Sequence, residues 1–455
     1  MQQLLTVRIG QPVLAVLVAT LVVTAGLSGV VVAAPAADTN QPLDACGPID
    51  APGTYTLTQN ITTTAGDGCF SIEADGVTID GNGHTVAGNG SGIAVTATDV
   101  DEVAVRNLTL TNWATGVAVT GGAAQPTVRN VTVTNSSVGV AIFDGAVAAT
   151  VVDSQFRELT SVGIELQADD SRVVGNELTA TGGAAISVTG GDDTTVTDNE
   201  IRTTRGGVLV TDTASATVRA NTLHNVNGTS IHVAGDGEDW WASYAFDVPL
   251  SVATHLSSAT PRGPTEVANN TITDGNGNGI LVERADDVMV TDNRLHRNRD
   301  GIRVVETSEV VVMANTALEN RDDGISFGAA PRGVVRNNTL RNNTDDGIYV
   351  LGDNTTVYGN LATGNGDDGL DVQNSTGVVV RANHFSDNGD DGVFFRTVFD
   401  GLVEANELRG NADDGVDLRS TDLVTLANNT VCGSTDREVI TRMGTNRTTT
   451  ENNGC

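Results

Sequence analysis

The sequence contains no lysine. All 25 basic residues are arginine, set against 57 aspartates and glutamates, for a formal net charge of −32. So negative a chain argues against nucleic acid as a partner, because its summed field repels a polyanion wherever salt does not screen it. Aromatics are sparse, at 4% of residues. High charge with few aromatics is also the composition of disordered chains, but the regular apolar alternation described below excludes disorder. The remaining reading is a surface adapted to very high salt, as in halophilic archaea, where the charge keeps the protein soluble and monomeric. Beyond residue 34 there is no long apolar run, which excludes further membrane-spanning helices.

The N-terminal run itself reads as an export signal. Arg8 precedes an apolar stretch from Pro12 to Ala34 that ends in the small-residue sequence "VVAAPAAD", so residues 1–36 are expected to be a signal peptide or a retained anchor. The protein is then secreted or held at the cell surface. Its 4 cysteines fall as Cys46 with Cys69 and Cys432 with Cys455. In an exported chain such pairs suggest disulfides.

What the sequence has in abundance is a period. A small residue before an apolar-x-apolar triplet recurs at Gly92, Gly116, Gly139, Gly163, Ala185, Gly207 and Ser230, then at Gly279, Gly301, Gly324, Gly347, Gly369, Gly392 and Gly415. The triplets, as in "GIAV", "GILV" and "GIYV", alternate like a strand with one buried face. A second apolar stretch ends on an asparagine at Asn293, Asn315, Asn338, Asn360, Asn383, Asn406 and Asn429, and a third short strand follows it. Three short strands in each 22–24-residue repeat leave no room for a helix. The fold class is therefore all-β: a right-handed single-stranded parallel β-helix of about 15 coils, roughly 70 Å long at about 4.8 Å per coil.

Stacking gives the recurrent residues a purpose. An asparagine amide at a turn hydrogen-bonds to the asparagine of the next coil, and asparagine tolerates a left-handed turn. The repeated glycine permits either positive φ or close approach between coils. Cysteines one period apart lie within disulfide reach, so Cys46–Cys69 and Cys432–Cys455 are expected to tie the first and last coils. Residues 37–80 form the N-terminal cap and first coils, 81–434 the β-helix, and 435–455 the C-terminal cap. The doubled step from Ser230 to Gly279 marks an inserted loop at 236–264, expected to span about one extra coil plus a projection. Its "WWASYAF" makes Trp240, Trp241 and Tyr244 a candidate sugar-stacking platform, or a small satellite core. Among the N-x-S/T sequons, Asn227, Asn354 and Asn446 lie outside the ladder and are the better glycosylation candidates.

"IDGNGHTVAGNGSGIAV" followed by "VRNLTLTNWATGVAV" resembles the opening coils of the NosD-type β-helix family of periplasmic copper-binding proteins, and the wider carbohydrate-binding and sugar-hydrolase β-helix domains. The resemblance runs from about residue 53 to 432. It implies a pectin-lyase-like fold and either a polysaccharide partner or a copper-handling role. Copper would call on the histidines, but His84, His224, His232, His255, His296 and His384 are scattered. "GDDG" at 366–369 resembles the acidic pair of polygalacturonase-type hydrolases, without their accompanying Asn-Thr-Asp, Gly-His-Gly and Arg-Ile-Lys motifs.

The same acidic pair recurs at one period. Asp322/Asp323, Asp345/Asp346, Asp367/Asp368, Asp390/Asp391 and Asp413/Asp414 fall in one corner of five successive coils, each preceded by an asparagine (Asn320, Asn343, Asn365, Asn388, Asn411). Neighbouring carboxylates stacked this way repel by about 1 kcal/mol in water, and several times more when half-buried. Three readings stand. Each aspartate caps its own turn as an Asx-turn does, with salt screening the column. Alternatively, Ca²⁺ sits between coils with the asparagine carbonyls as added ligands. Or two carboxylates act as acid and base on a glycosidic bond. Five near-identical copies speak against catalysis, and the acidic composition favours screening.

A more varied column lies two residues after each anchor, where Arg303, Tyr349, Asp371, Phe394 and Asp417 are expected to face solvent with Arg396 and Arg419 beside them. Tyr349 and Phe394 are candidate ligand-binding residues, and Asp371, Asp417, Arg303 and Arg396 candidate catalytic ones. The sequence thus points to an exported β-helix that binds extracellular or cell-surface polysaccharide without turnover. The alternatives are a polysaccharide lyase or hydrolase acting from the same face, a copper-handling accessory protein and a structural spacer. The composition also carries a prediction: like-charge repulsion destabilises the rod as ionic strength drops. Melting temperature should therefore fall steeply between multimolar and low NaCl, and equal values in the two would refute the high-salt reading.

Overall fold

Alternation within each strand builds the rod. In Ile348–Leu351, Ile348 and Val350 are buried while Tyr349 and Leu351 point outward. Thr356–Tyr358 and Leu361–Thr363 each turn one apolar side chain inward and complete the coil. The structure is a computed structural model that describes residues 40–455 apart from 65, 67, 144, 214, 236–263 and 443. The expected signal segment 1–36 lies outside these residues, as do Trp240, Trp241 and Tyr244.

From the second described strand onward, each strand pairs in parallel with its counterpart in the neighbouring coil, as in Ile325↔Ile348↔Leu370↔Val393↔Val416. The strands form three sheets along the rod, one of 18 and one of 16 strands among them, and no helix occurs among the described residues. Such parallel crossovers are right-handed with few exceptions. The interior is a set of like-on-like columns, for example Val304, Phe327, Val350, Val372, Phe395 and Leu418, all fully buried.

An asparagine ladder lines one bend of most coils, and a second bend carries another from Asn298 to Asn411. In the first, the Asn360 side-chain amide donates to Asn383 Oδ1 at 3.0 Å and to the Val335 carbonyl at 2.8 Å. Its own Oδ1 accepts from the backbone N–H and the amide of Asn338. This ladder runs from Asn176 to Asn453. The left-handed conformation expected of the asparagine belongs instead to the residue before it: Ala314, Asn337, Gly359, Ala382 and Ala405 have φ between 53° and 66°. The buried asparagine is thereby free to point its amide inward. At Gly347 the repeated glycine answers to the second of its two expected causes, whereas Gly92 has a φ of 69°. A Cβ on Gly347 would lie 2.7 Å from the Gly369 carbonyl oxygen and 2.6 Å from the Ala362 methyl. Close approach, not positive φ, is what it serves there.

The insertion corrects one expectation. Ile231–Ala234 pairs directly with Ile280–Glu283, and Asn221 bonds to Asn270 at 3.1 Å across a separation of 49 residues. The flanking coils are neighbours, so no extra coil lies between them. Both disulfides form as the spacing predicts, Cys46–Cys69 with Cα atoms 4.5 Å apart and Cys432–Cys455 with 5.1 Å. They point to an extracytoplasmic location.

Truncating one rung leaves two donors on Asn338, its backbone N–H and one side-chain amide hydrogen, without partners in the core. A buried unsatisfied group costs about 1–3 kcal/mol. Asn360→Ala should therefore lower stability by about 2–5 kcal/mol in denaturant unfolding, and a change below about 1 kcal/mol would show that the ladder does not hold the coils.

Candidate functional site

The aspartates occupy the turn that delivers the chain into the strands Ile302–Val305, Ile325–Gly328, Ile348–Leu351, Leu370–Thr376, Val393–Phe399 and Val416–Arg419. The preceding asparagines form the second ladder, in which Asn343 donates its amide to Asn365 Oδ1 at 2.9 Å and Asn365 to Asn388 Oδ1 at 3.0 Å. These oxygens also accept the backbone N–H of the preceding asparagine. Both lone pairs are engaged, so the asparagine carbonyls are not spare ligands for a cation. That correction leaves the carboxylates alone.

The two aspartates of each pair differ sharply. The first points outward. The second is buried, with exposure falling from 8% at Asp323 to 0% at Asp414. Rather than capping its own turn as expected, it reaches along the rod. Asp346 Oδ1 accepts the backbone N–H of Asp368 at 3.0 Å, Asp368 Oδ1 that of Asp391 at 2.7 Å, and Asp391 Oδ1 that of Asp414 at 2.8 Å. Stacking at one-coil spacing brings the next coil's amide closer than any free donor in the turn itself.

Burial dominates the acidity of this inner column. It pushes Asp323 up to about 7, Asp368 to about 9 and Asp391 to about 7, with neighbouring carboxylates adding to the rise. Asp346 is raised well above the ordinary value for the same reasons. The outer Asp345 and Asp390 are raised as well, burial first and adjoining outer aspartates second.

The sequence reading missed the head of this column. Asp300, fully buried, occupies the inner position in "NRDGIRV", where Arg299 stands in the outer one. The Asn-x-Asp-Gly frame was its signal, obscured because the doublet is broken. Asp300 accepts from Arg303 Nη1 at 3.3 Å. At the other end Arg442, one coil beyond Arg419, donates to Asp414 at 3.1 Å and to Asp417 at 2.7 Å. Nothing in the repeat motif marks Arg442.

The varied column does not lie open to solvent as expected. Ser326, Asp371 and Asp417 are buried, and Phe394 is only 9% exposed. Long side chains of the adjoining column fold across them. Gln373 donates to Asp371 Oδ2 at 2.6 Å and accepts from Arg396. The Arg419 guanidinium lies 4.5 Å above the Phe394 ring and donates to Asp417 at 2.6 Å. Phe394 is thus a platform already occupied by an arginine. Asp417 holds two arginines, whereas burial raises the Asp371 carboxyl to about 6. Tyr349 stands next to Asp371 in register, half-exposed, its phenol raised by burial and by that carboxylate. A shallow depression of about 460 Å³ lined by Arg106, Asn107, Arg129, Asn130 and Asp153 shares no residue with this face.

Copper does not fit the side chains present. Among the described residues every cluster of three candidate ligands is made of aspartates alone, and both described disulfides consume their thiols. His232 is buried beside Glu283, and desolvation lowers it to about 4. His296 and His384 pair with the glutamates Glu319 and Glu407.

Residues 253–398 match the family described as periplasmic copper-binding protein (NosD), and residues 91–243 match the right-handed β-helix region family. No curated protein matches the sequence. Among solved structures, similarity extends to the A-module of mannuronan C-5 epimerase AlgE4 of Azotobacter vinelandii, at 14% identity and TM-score 0.36 over 87% of this chain and 91% of that one. A tailspike protein mutant of E. coli bacteriophage HK620 in complex with pentasaccharide shares 11% identity over 88% of this chain and 72% of that one, with TM-score 0.43. A periplasmic alginate epimerase AlgG mutant shares 11% identity over 90% and 79%, with TM-score 0.36. At these scores the three add nothing to what the coil geometry already states. The three parallel sheets and both partial sequence matches agree on one fold, the right-handed parallel β-helix.

Proposed function

We propose that the face bearing Tyr349, Arg396, Arg419 and Arg442 binds an acidic extracellular polysaccharide without turning it over. The observation that carries this reading is a column of three arginines in a strongly acidic chain. In a chain of net charge −32, Arg396, Arg419 and Arg442 stand one coil apart on one outward column. Each guanidinium carries five N–H donors, and the contacts to Gln373 and Asp417 occupy only some of them. Tyr349 adds a half-exposed ring to the strip. Three coils at about 4.8 Å spacing make a straight track suited to a linear polymer. Multimolar salt screens the remaining acidic surface, with a Debye length of about 3 Å at 1 M, so a polyanion can approach.

The absence of turnover rests on Asp417 being held by two arginines and on the repetition of the flanking aspartates. A second reading has one observation in its favour. Asp371 is a buried carboxyl raised to about 6 beside Tyr349 and the Gln373–Arg396 pair, which is the protonation range of a general acid. In that reading the face belongs to a lyase or hydrolase.

The test is incubation with a panel of acidic and neutral polysaccharides in high salt. Acidic members should be retained, and Tyr349→Ala/Arg396→Ala should weaken retention at least tenfold, with no new reducing or unsaturated ends. Equal retention of neutral and acidic members would overturn the proposal. New chain ends that disappear in Asp371→Asn would establish the second reading instead.

A further inference from the structure

The aspartate ladder is sealed by arginines only at its ends. Arg303 meets Asp300, and Arg442 meets Asp414 and, at 4.0 Å, Asp413. Among the described residues, no arginine or histidine forms an ion pair with Asp345, Asp346, Asp367, Asp368, Asp390 or Asp391. In each of the rungs Asp345/Asp346/Asp367, Asp367/Asp368/Asp390 and Asp390/Asp391/Asp413, one oxygen from every carboxylate lies within 4.8 Å of the others. Each rung thus draws on two coils, and Asp367 and Asp390 each belong to two rungs.

Clustered carboxylates alone do not make a site. A separate observation points to a missing partner: oxygens with nothing to bind. Asp391, 1% exposed, uses Oδ1 on the next coil's amide, but its Oδ2 is buried with no hydrogen-bond partner. Asp371, from the neighbouring column and 7% exposed, has an equally unpartnered Oδ1. It lies close enough to the Asp345/Asp346/Asp367/Asp368 group for their charges to act on one another. Buried polar atoms without partners are rare in folded proteins, and each calls for a cause. Monovalent salt screens the outer aspartates but does not reach carboxylates this deeply covered.

We propose that the central rungs bind divalent cations of the calcium type, each ion held by the outer and inner aspartates of one coil and the outer aspartate of the next. The donor set is carboxylate oxygen only, which suits a hard cation. Calcium accepts six to eight oxygens in flexible geometry, and water completes the shell on the outer side. Magnesium demands a tighter octahedron than three carboxylates on a fixed coil spacing provide. An ion between coils is also a staple along the rod. The proposal does not depend on the polysaccharide reading.

The experiment uses the full chain at constant multimolar NaCl, freed of metal by chelation, with calcium chloride as the probe. Equilibrium dialysis at pH 8 should show saturable calcium uptake, with magnesium chloride at least tenfold weaker. Melting temperature should rise with calcium and fall again with chelator. Asp367→Asn/Asp390→Asn, which changes the outward aspartates shared between rungs, should lose most of the uptake. Wild-type uptake no greater than that of this variant would overturn the proposal. So would a melting temperature indifferent to both calcium and chelator. Should the variant fail to fold, the wild-type uptake and its melting shift decide alone.

Discussion

In this rod the nearest neighbour of almost every side chain is the equivalent residue of the next coil, about 4.8 Å away. That single constraint sorts the amino acids. A residue that is attracted to its own kind strengthens with every repeat, and one that is repelled by its own kind becomes a problem with every repeat. Valine, isoleucine and phenylalanine stack into the core columns. Asparagine, donor and acceptor in one group, becomes a ladder that bonds to both neighbours. Cysteines one period apart become disulfides at the two ends.

Aspartate is the residue this rule should forbid, and its five doublets are where the molecule departs from simple stacking. Part of the conflict is relieved by having each inner carboxylate accept the next coil's amide. Arginines close the column at Asp300 and Asp414. In the middle, burial holds the inner carboxyls toward their protonated form. Beside it stands the arginine column, whose Arg419 and Arg442 both pair with Asp417. The two columns make this corner of the rod the place where its electrostatics change within one strand width.

Most of the fold was legible in the sequence because its determinants are local and repeated. The glycine-apolar-x-apolar triplets set the strands, the asparagines marked the bends, and cysteine spacing equal to the period set the disulfides. What escaped was non-local or depended on side-chain reach. The left-handed residue is the one before the ladder asparagine, a position filled by alanine, asparagine or glycine with no common chemistry. Alternation placed Asp371 and Asp417 on the outer face correctly but said nothing of Gln373, Arg419 and Arg442 folding over them. Asp300 was hidden by one substituted neighbour. The extra coil expected at the insertion was an inference from length alone, and only strand pairing shows which coils touch.

The joint between Asn221 and Asn270 has a consequence for how such a chain can change. Its hydrogen bond has the same length as those of uninterrupted rungs, although 49 residues rather than 22 or 23 separate the partners. The ladders therefore impose a grammar of permitted edits. A whole coil can be added or deleted, because each interface is then remade from equivalent residues. A long segment can be spliced in at a corner, because the rungs on either side still meet. A shift of one or two residues inside a strand has no such escape: it would turn an entire outer column inward and leave every rung above it facing the wrong partner. Length variation in this protein is thus quantised along the rod and unconstrained at its corners.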